Sequence, residues 1–398
     1  MMQWLTRFPG VVIVCCLIAG CRESPVLNGD ALFEAALDGD LNRVRHLVNE
    51  GVDVNARTST VCSTALHAAA TIGNMEIAVF LVAKGADVNA ADTSGWTPLH
   101  HAVRNAHREL IEWFIAHGAD VNASIDGCRT PLDVAAEYGG TRVCELLLAR
   151  GAKATQPSEA AYTALHAAAA NHDERTIELL IRNGLDVNAG LDAGFTPLHA
   201  AASENGDGAL DAIQLLLAKE ADINAGIRTG RTPLFAAITS RQERVARLLI
   251  ERGAEINTET AKGYTPLFQA LQGGLPELAE FLVAKGASLD ECPPEYGTIL
   301  HVAAERGHAR VVEKMIARGA DVNVEMAYGD RPLHKAIESC RQDVVKVLIA
   351  HGADINAMSR DGRSPMDAAN TVYGRDPNLF DIVRAAGGKE GKLLRRGK

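Results

Sequence analysis

Basic residues are in short supply in this chain: 40 lysines and arginines face 50 aspartates and glutamates, a formal net charge of −10. Nucleic-acid binding needs a basic footprint to meet the phosphate backbone, so this balance argues against a nucleic-acid partner. Long apolar runs are missing as well. Val11 to Ala19 is well short of the roughly twenty residues that a membrane-spanning helix requires. Eight cysteines occur without a CxxC pair, so neither a zinc cluster nor a redox dithiol is expected. No phosphate-binding glycine loop, dinucleotide fingerprint or GxSxG elbow is present, and no acid pair stands outside a repeated register. The expectation is a protein that is not an enzyme and that takes neither cofactor nor metal. Aromatic residues make up only 5% of the chain, which makes any register that collects them informative.

What the chain has in abundance is self-similarity. Leu66, Leu99, Leu132, Leu165 and Leu198 are spaced by thirty-three residues, Leu234, Leu267, Leu300 and Leu333 continue with the same step, and Met366 closes the series. Only Leu198 to Leu234 is longer, at thirty-six, and the extra residues lie in Ser203 to Gly208, between two expected helices. One loop is extended while the register survives.

The corner Gly95-Trp96-Thr97-Pro98-Leu99-His100 shows what each unit builds. Thr97 is a natural N-cap, and Pro98 suits the first helical position, where its missing N–H has no intrahelical use. His100, three residues after the cap, can reach back to Thr97 as the Glu of a capping box does, while Leu99 anchors the core. A first helix is predicted from Pro98 to about Arg104 and a second over Arg108 to Ala116, with Gly118 as the left-handed residue ending it and Asp120 to Asn122 leading into an extended turn. Ala68 to Ala70, Ala167 to Ala169 and Ala200 to Ala202 make thin first helices that let units approach closely. A single such unit cannot bury its apolar face, so stability must come from stacking.

The motifs now on the page resemble those of ankyrin-repeat proteins. Thr-Pro-Leu-His stands at Thr97 to His100 and Thr196 to His199, with near-matches at Thr130, Thr163, Thr232, Thr265 and Arg331, and Gly-Ala-Asp-Val/Ile-Asn recurs at Gly85, Gly118, Gly319 and Gly352. The resemblance implies an all-α ankyrin-repeat solenoid, each thirty-three-residue unit a helix-turn-helix plus a β-hairpin, over residues 30–387. Nine standard repeats would lie between degenerate ends at Ala31 to Glu34 and Ser364 to Asp367. Gly73, Gly139, Gly274 and Gly307 fill the turn between helices, but Ala106, His172, Arg241 and Cys340 take that register elsewhere, and Glu220 replaces a helix-ending glycine. Those turns are expected to be strained or reshaped. The basic tail, residues 388–398, is expected to be disordered.

Residues 1–20 read as a signal peptide, with one charge at Arg7 and an apolar run ending in small residues. Ile18-Ala19-Gly20-Cys21 resembles the bacterial lipoprotein signal, which implies cleavage before Cys21 and its lipidation, with residues 21–29 as a short tether. An ordinary secretory signal with an incidental cysteine is the alternative. Arg22 stands where the family's inner-membrane retention signal has Asp, so the resemblance implies a bacterial envelope location, at the outer membrane facing the periplasm. Cys62, Cys128, Cys144, Cys292 and Cys340 remain, and they are expected to be free and mostly buried.

Function is expected in what varies around the frame. His67, His100, His166, His199, His301 and His334 share the corner register, where a structural hydrogen bond explains them. The residue just before the corner Thr is Trp96, Arg129, Tyr162, Phe195, Arg231, Tyr264 and Arg363 in seven of ten registers. At 5% aromatics ten positions should hold about half of one, and these hold four. Trp, Tyr and Arg are enriched at binding hot spots. In ankyrin proteins this register lies beside the concave face where partners are held, although it can also pack along the hairpin ladder. The expected function is a monomeric, lipid-anchored scaffold that grips another envelope protein. The alternatives are an inhibitor or immunity protein that occludes a toxin or hydrolase, and a Cys- or His-based enzyme.

Overall fold

The computed structural model describes residues 25–125, 129–153, 163–191, 193–206, 208–290 and 292–396. The signal segment, Cys21, Cys128 and Tyr162 lie outside these residues. The chain forms two compact units, Met1–Ala102 with Glu109–Ala119, and Val103–Arg108 with Asp120–Lys398. In each, short helices alternate along the chain as antiparallel pairs, and no helix among the described residues is long and apolar enough to cross a membrane.

The first unit holds the pairs Pro25–Leu37 with Leu41–Asn49 and Ala65–Ile72 with Met75–Ala83. Its helix starting at Pro25 begins inside the segment read as a tether. Leu32 and Leu66 are completely buried, together with Ala65, Ala68, Ala69 and Ala70, because alanine lets the neighbouring first helix close to backbone distance. The second unit repeats this plan from Pro131–Val134 to Pro377–Ala385, with Leu132, Leu165, Leu198, Leu234, Leu267, Leu300 and Leu333 all at most 2% exposed. The helices Pro98–Arg104 and Arg108–Ala116 have the bounds that the sequence predicts.

Within each unit, repeat is tied to repeat by the Asp-x-Asn register. Asp53 accepts the Asn55 N–H at 2.9 Å, Asn55 donates its amide to Gly85 O at 3.0 Å, and its Oδ1 accepts from Asp87 N at 2.8 Å. The clamp recurs in the second unit, where Asn122 bonds Gly151 O and Lys153 N at 3.2 and 2.7 Å, and Asn323 bonds Gly352 O and Asp354 N at 3.1 and 2.7 Å. Part of the chain's acidity is therefore turn chemistry.

Several expectations need correction. Among the described residues the expected β-hairpin is reduced to a finger, in several repeats a five-residue turn closed by one backbone bond such as Asp92 N to Trp96 O at 2.9 Å or Thr260 N to Tyr264 O at 3.0 Å. The described residues contain only one isolated bridge, Ile125 with Arg129. Cys144 is buried, but Cys62, Cys292 and Cys340 are only partly so, since they sit in turns and loops; all four are free. The tail is ordered through Arg396: Lys389 N donates to Asn356 Oδ1 at 2.9 Å, Gly391 N to Asp367 Oδ2 at 2.8 Å, and the short helix Gly391–Arg396 follows.

The turns between helices behave as their residues dictate. Ala106, His172, Arg241 and Cys340 hold φ between 54° and 60°, and Glu220 holds 67°, the left-handed region that costs an L-residue about 1–2 kcal/mol. Stacking holds them there. In the unit of Leu132 the expected left-handed Gly139 is displaced: a π-helical turn, Ala135–Gly139, inserts one residue and passes the positive φ of 70° to Gly140. The extended loop falls where expected, between Pro197–Ser203 and Ala209–Ala218. It is braced by Gln242, which donates to Glu204 O at 2.7 Å and Asn205 Oδ1 at 2.6 Å.

Candidate interaction surface

The residue before the helix cap closes the finger, and at Trp96, Phe195, Arg231 and Tyr264 its side chain folds back over the residue four positions on. In the first unit the Trp96 ring lies 5.7 Å from His100 and 5.3 Å from His101. In the second unit Phe195 lies 5.3 Å from His199, the Arg231 guanidinium 5.7 Å from the Phe235 ring, and Tyr264 stacks on Phe268 at 4.9 Å. Arg129 pairs with Glu137 and lies 6.0 Å from the Tyr138 ring, while Arg363 bonds Asp361 at 2.7 Å and Glu338 at 3.1 Å. Arg231 is exposed and the others are half-buried, so each keeps one face on the frame and one in solvent. The register is interrupted after Tyr264: Gly297 and the buried Asp330 occupy the next two positions.

The main chain beneath Trp96, Phe195 and Arg231 is pinned by the corner histidines. Thr64 N donates to His67 Nδ1 at 3.1 Å, and His67 Nε2 donates to Trp96 O at 3.0 Å. A backbone N–H can only donate and a carbonyl can only accept, so the ring carries its proton on Nε2. His166 reaches Phe195 O at 2.9 Å, His199 reaches Arg231 O at 3.2 Å, and His301 reaches Asp330 O at 3.2 Å in the same way. One imidazole thus caps its own helix and fixes the next finger. Burial pushes His67, His166 and His301 down to about 4 and lowers His199 and His334, which keeps these rings neutral as the geometry needs. Asp133 replaces the histidine after Thr130, accepting from Thr130 N at 2.8 Å and Ala164 N at 2.6 Å, and burial pushes its carboxyl up.

Sequence reasoning found the capping half of this arrangement and missed the bridging half. The signal was present: a corner histidine recurs one repeat ahead of Trp96, Phe195 and Arg231. Trp96 has further supports, since Asp92 Oδ1 accepts its N–H at 2.9 Å and Asp92 Oδ2 lies 3.9 Å from His101 Nε2. Rigid aromatic and guanidinium groups on a fixed backbone lose little entropy on contact, which is what a partner-binding face requires. Among the described residues no three His, Cys, Asp or Glu side chains converge as a metal site.

Residues 32–125, 132–227, 208–292 and 289–359 match the family model described as ankyrin repeats (3 copies). Over 80 residues the chain is 35% identical to the 2-5A-dependent ribonuclease of Mus musculus, covering 20% of this chain and 11% of that protein. It is 43% identical to the RelA-associated inhibitor of Mus musculus over 67 residues, 17% of this chain and 8% of that protein. The protein phosphatase 1 regulatory subunit 27 of Mus musculus is 43% identical over 68 residues, 17% of this chain and 44% of that protein. The chain therefore spans less than half the length of each of these relatives. The human ASB11 ankyrin repeat domain, a crystal structure, is 28% identical and covers 56% of this chain and 98% of its own, with a TM-score of 0.48.

Proposed function

Since the chain belongs to the ankyrin-repeat family, whose repeats mediate protein–protein interaction, we propose that it is a non-enzymatic scaffold anchored by lipid on Cys21 and gripping another protein of the bacterial envelope. The observation that carries this reading is the register of finger residues, Trp96, Arg129, Phe195, Arg231 and Tyr264, each with one face in solvent, with the backbone of Trp96, Phe195 and Arg231 pinned by a histidine. Tyr162 belongs to the same register by sequence. The lipid anchor rests on the resemblance of Ile18-Ala19-Gly20-Cys21 to the bacterial lipoprotein signal, and Arg22, where the inner-membrane retention signal has Asp, supports a location on the outer membrane facing the periplasm. Cross-linking in membranes followed by co-purification tests the grip: a folded variant with Trp96, Tyr162 and Tyr264 changed to Ala should lose its partner, and unchanged capture would refute the finger reading. Radioactive palmitate should label the wild type and leave Cys21→Ser unlabelled.

An occluding role is the second reading. Two of the matched relatives are, by their names, an inhibitor and a regulatory subunit. If the same fingers cover the working surface of a toxin or hydrolase, adding the purified chain should suppress that activity in proportion to binding.

A further inference from the structure

We propose that Asn205 and Gly206, in the extended loop of the second unit, form a modification site at which the chain deamidates itself, with Gln242 and His172 supplying the groups that speed the reaction. In this reaction the Gly206 amide nitrogen attacks Cγ of Asn205. An N–Cγ bond forms, the Cγ–Nδ2 bond breaks, and the proton lost from the Gly206 nitrogen leaves with the departing ammonia. The product is a cyclic imide. Water then opens the ring at either carbonyl, leaving aspartate or isoaspartate at position 205, so the whole change consumes one water and releases one ammonia.

Glycine after asparagine obstructs the attack least, and the chain has three such pairs: Asn28–Gly29, Asn183–Gly184 and Asn205–Gly206. Two are locked. Asn28–Gly29 lies within the helix Pro25–Leu37, whose backbone holds the attacking nitrogen away from the side chain. Asn183 ends the helix Glu174–Arg182 and donates Nδ2 to Leu179 O at 2.8 Å, while the Gly184 N–H that would have to attack is bonded to Ile181 O at 3.0 Å. Asn205 and Gly206 are both exposed, between Pro197–Ser203 and Ala209–Ala218, and among the described residues the Gly206 N–H has no hydrogen-bond partner. Its nitrogen is available to react.

Two neighbours complete the site. Gln242 donates Nε2 to Glu204 O at 2.7 Å and to Asn205 Oδ1 at 2.6 Å. A backbone carbonyl only accepts, so the shared Gln242 atom is its amide nitrogen and the Asn205 atom facing it is the oxygen. That bond draws electrons from Cγ and steadies the charge that gathers on Oδ1 as the nitrogen attacks. His172 packs against the glycines: a Cβ on Gly206 would come within 2.4 Å of its Nδ1, and one on Gly208 within 3.2 Å of its Cβ. Its Nε2 donates to Ala201 O at 3.0 Å, which puts the ring proton on Nε2 and leaves a lone pair on Nδ1. That lone pair is placed to take the Gly206 amide proton, directly or through one water. The product carries a new negative charge and, as isoaspartate, one more backbone carbon, in the loop that Gln242 braces.

The test uses the full chain in mild detergent at neutral pH, folded or in guanidinium chloride, sampled over weeks. Trypsin cuts after Arg182 and Lys219, so Asn183 and Asn205 leave on one peptide and each is the other's control. Fragment masses locate the mass increase, and labelling by an isoaspartyl methyltransferase detects isoaspartate. In the folded chain Asn205 should convert faster than in guanidinium, and Asn183 about tenfold more slowly, because its helix end must open first. His172→Gly suits the left-handed φ of 54° at that position. It should slow Asn205 about tenfold in the folded chain only, and imidazole added to the buffer should restore the rate. Gln242→Ala should slow it as well, and circular dichroism checks that both variants fold. Conversion of Asn205 no faster in the folded chain than in guanidinium, or no faster than that of Asn183, overturns the proposal. A rate unchanged in both variants overturns the roles of Gln242 and His172, and slowing by His172→Gly that imidazole does not relieve overturns His172 as the base.

Discussion

Mild acid should loosen this protein well before its carboxylates titrate. His67, His166 and His301 are 1% exposed or less and sit at about 4, against an ordinary imidazole value of 6.5. As pH falls through 6.5 the unfolded chain takes up these protons and the folded chain does not, so stability is full above that value and declines until the folded rings protonate near 4. At roughly 1.4 kcal/mol per pH unit of difference, each ring removes about 3 kcal/mol over the whole range and about 2 kcal/mol by pH 5. Three such rings amount to about 6 kcal/mol at pH 5, comparable with the roughly 5–15 kcal/mol total stability of a typical domain. Asp133, whose carboxyl burial pushes up, works in the opposite direction, but it is one group. Urea unfolding followed by circular dichroism at pH 7.5, 6 and 5 should show the midpoint falling steeply. His301→Gln keeps an acceptor and a donor without titrating and should remove about a third of the slope that these three rings contribute. Urea midpoints that do not change between pH 7.5 and 5, or carbon-detected titration of these imidazoles near 6.5, would show that the bridging geometry is wrong.

Other substitutions probe the frame more locally. Ala106 holds φ 57°, so Ala106→Gly should raise the urea midpoint by an amount equivalent to roughly 0.5–1 kcal/mol, against the usual penalty for glycine beside a helix. Asn122→Ala removes the bonds to Gly151 O and Lys153 N and should cost about 1–3 kcal/mol, with hydrogen exchange speeding first at those two repeats. Removing residues 389–398 leaves Asp367 Oδ2 without its Gly391 bond and Ser364 Oγ without Lys389 O, so amides of Pro365–Val372 should exchange faster while those around Leu234 stay protected.

The sequence made the period, the helix starts and the second helices legible because each depends on contacts within a few residues: a Thr cap, a Pro at the first turn, a leucine at the core. The four turns without glycine were legible for the same reason, since Ala106, His172, Arg241 and Cys340 stand where the chain must turn left-handed. What escaped depends on neighbours. Gly139 and Gly140 offer two places for one left-handed residue, and packing against Val103 and Val143 decides between them. The tail reads as a charged end because its order comes from Asn356, Ser364 and Asp367 of the preceding repeat. The finger residues were legible as a register, but not the histidine that holds Trp96, Phe195 and Arg231 from the repeat before.

That last link joins stability to function in one side chain. If the Nε2 proton of His166 fixes the carbonyl of Phe195, then removing it frees the finger while the Phe195 side chain stays present, losing only the stacked imidazole 6.3 Å from its ring. His166→Ala should therefore weaken partner capture through loss of preorganisation, and the defect should appear at temperatures where the helices remain intact. Phe195→Ala removes the contact itself. If both changes act through the same finger, the double variant should lose less than the sum of the single losses, whereas simple additivity would mean that the histidine serves only the helix cap. Cross-linked capture, measured below the melting temperature of all three variants, separates the two outcomes. A folded His166→Ala variant with undiminished capture would detach the histidine ladder from partner binding and leave it a purely structural device.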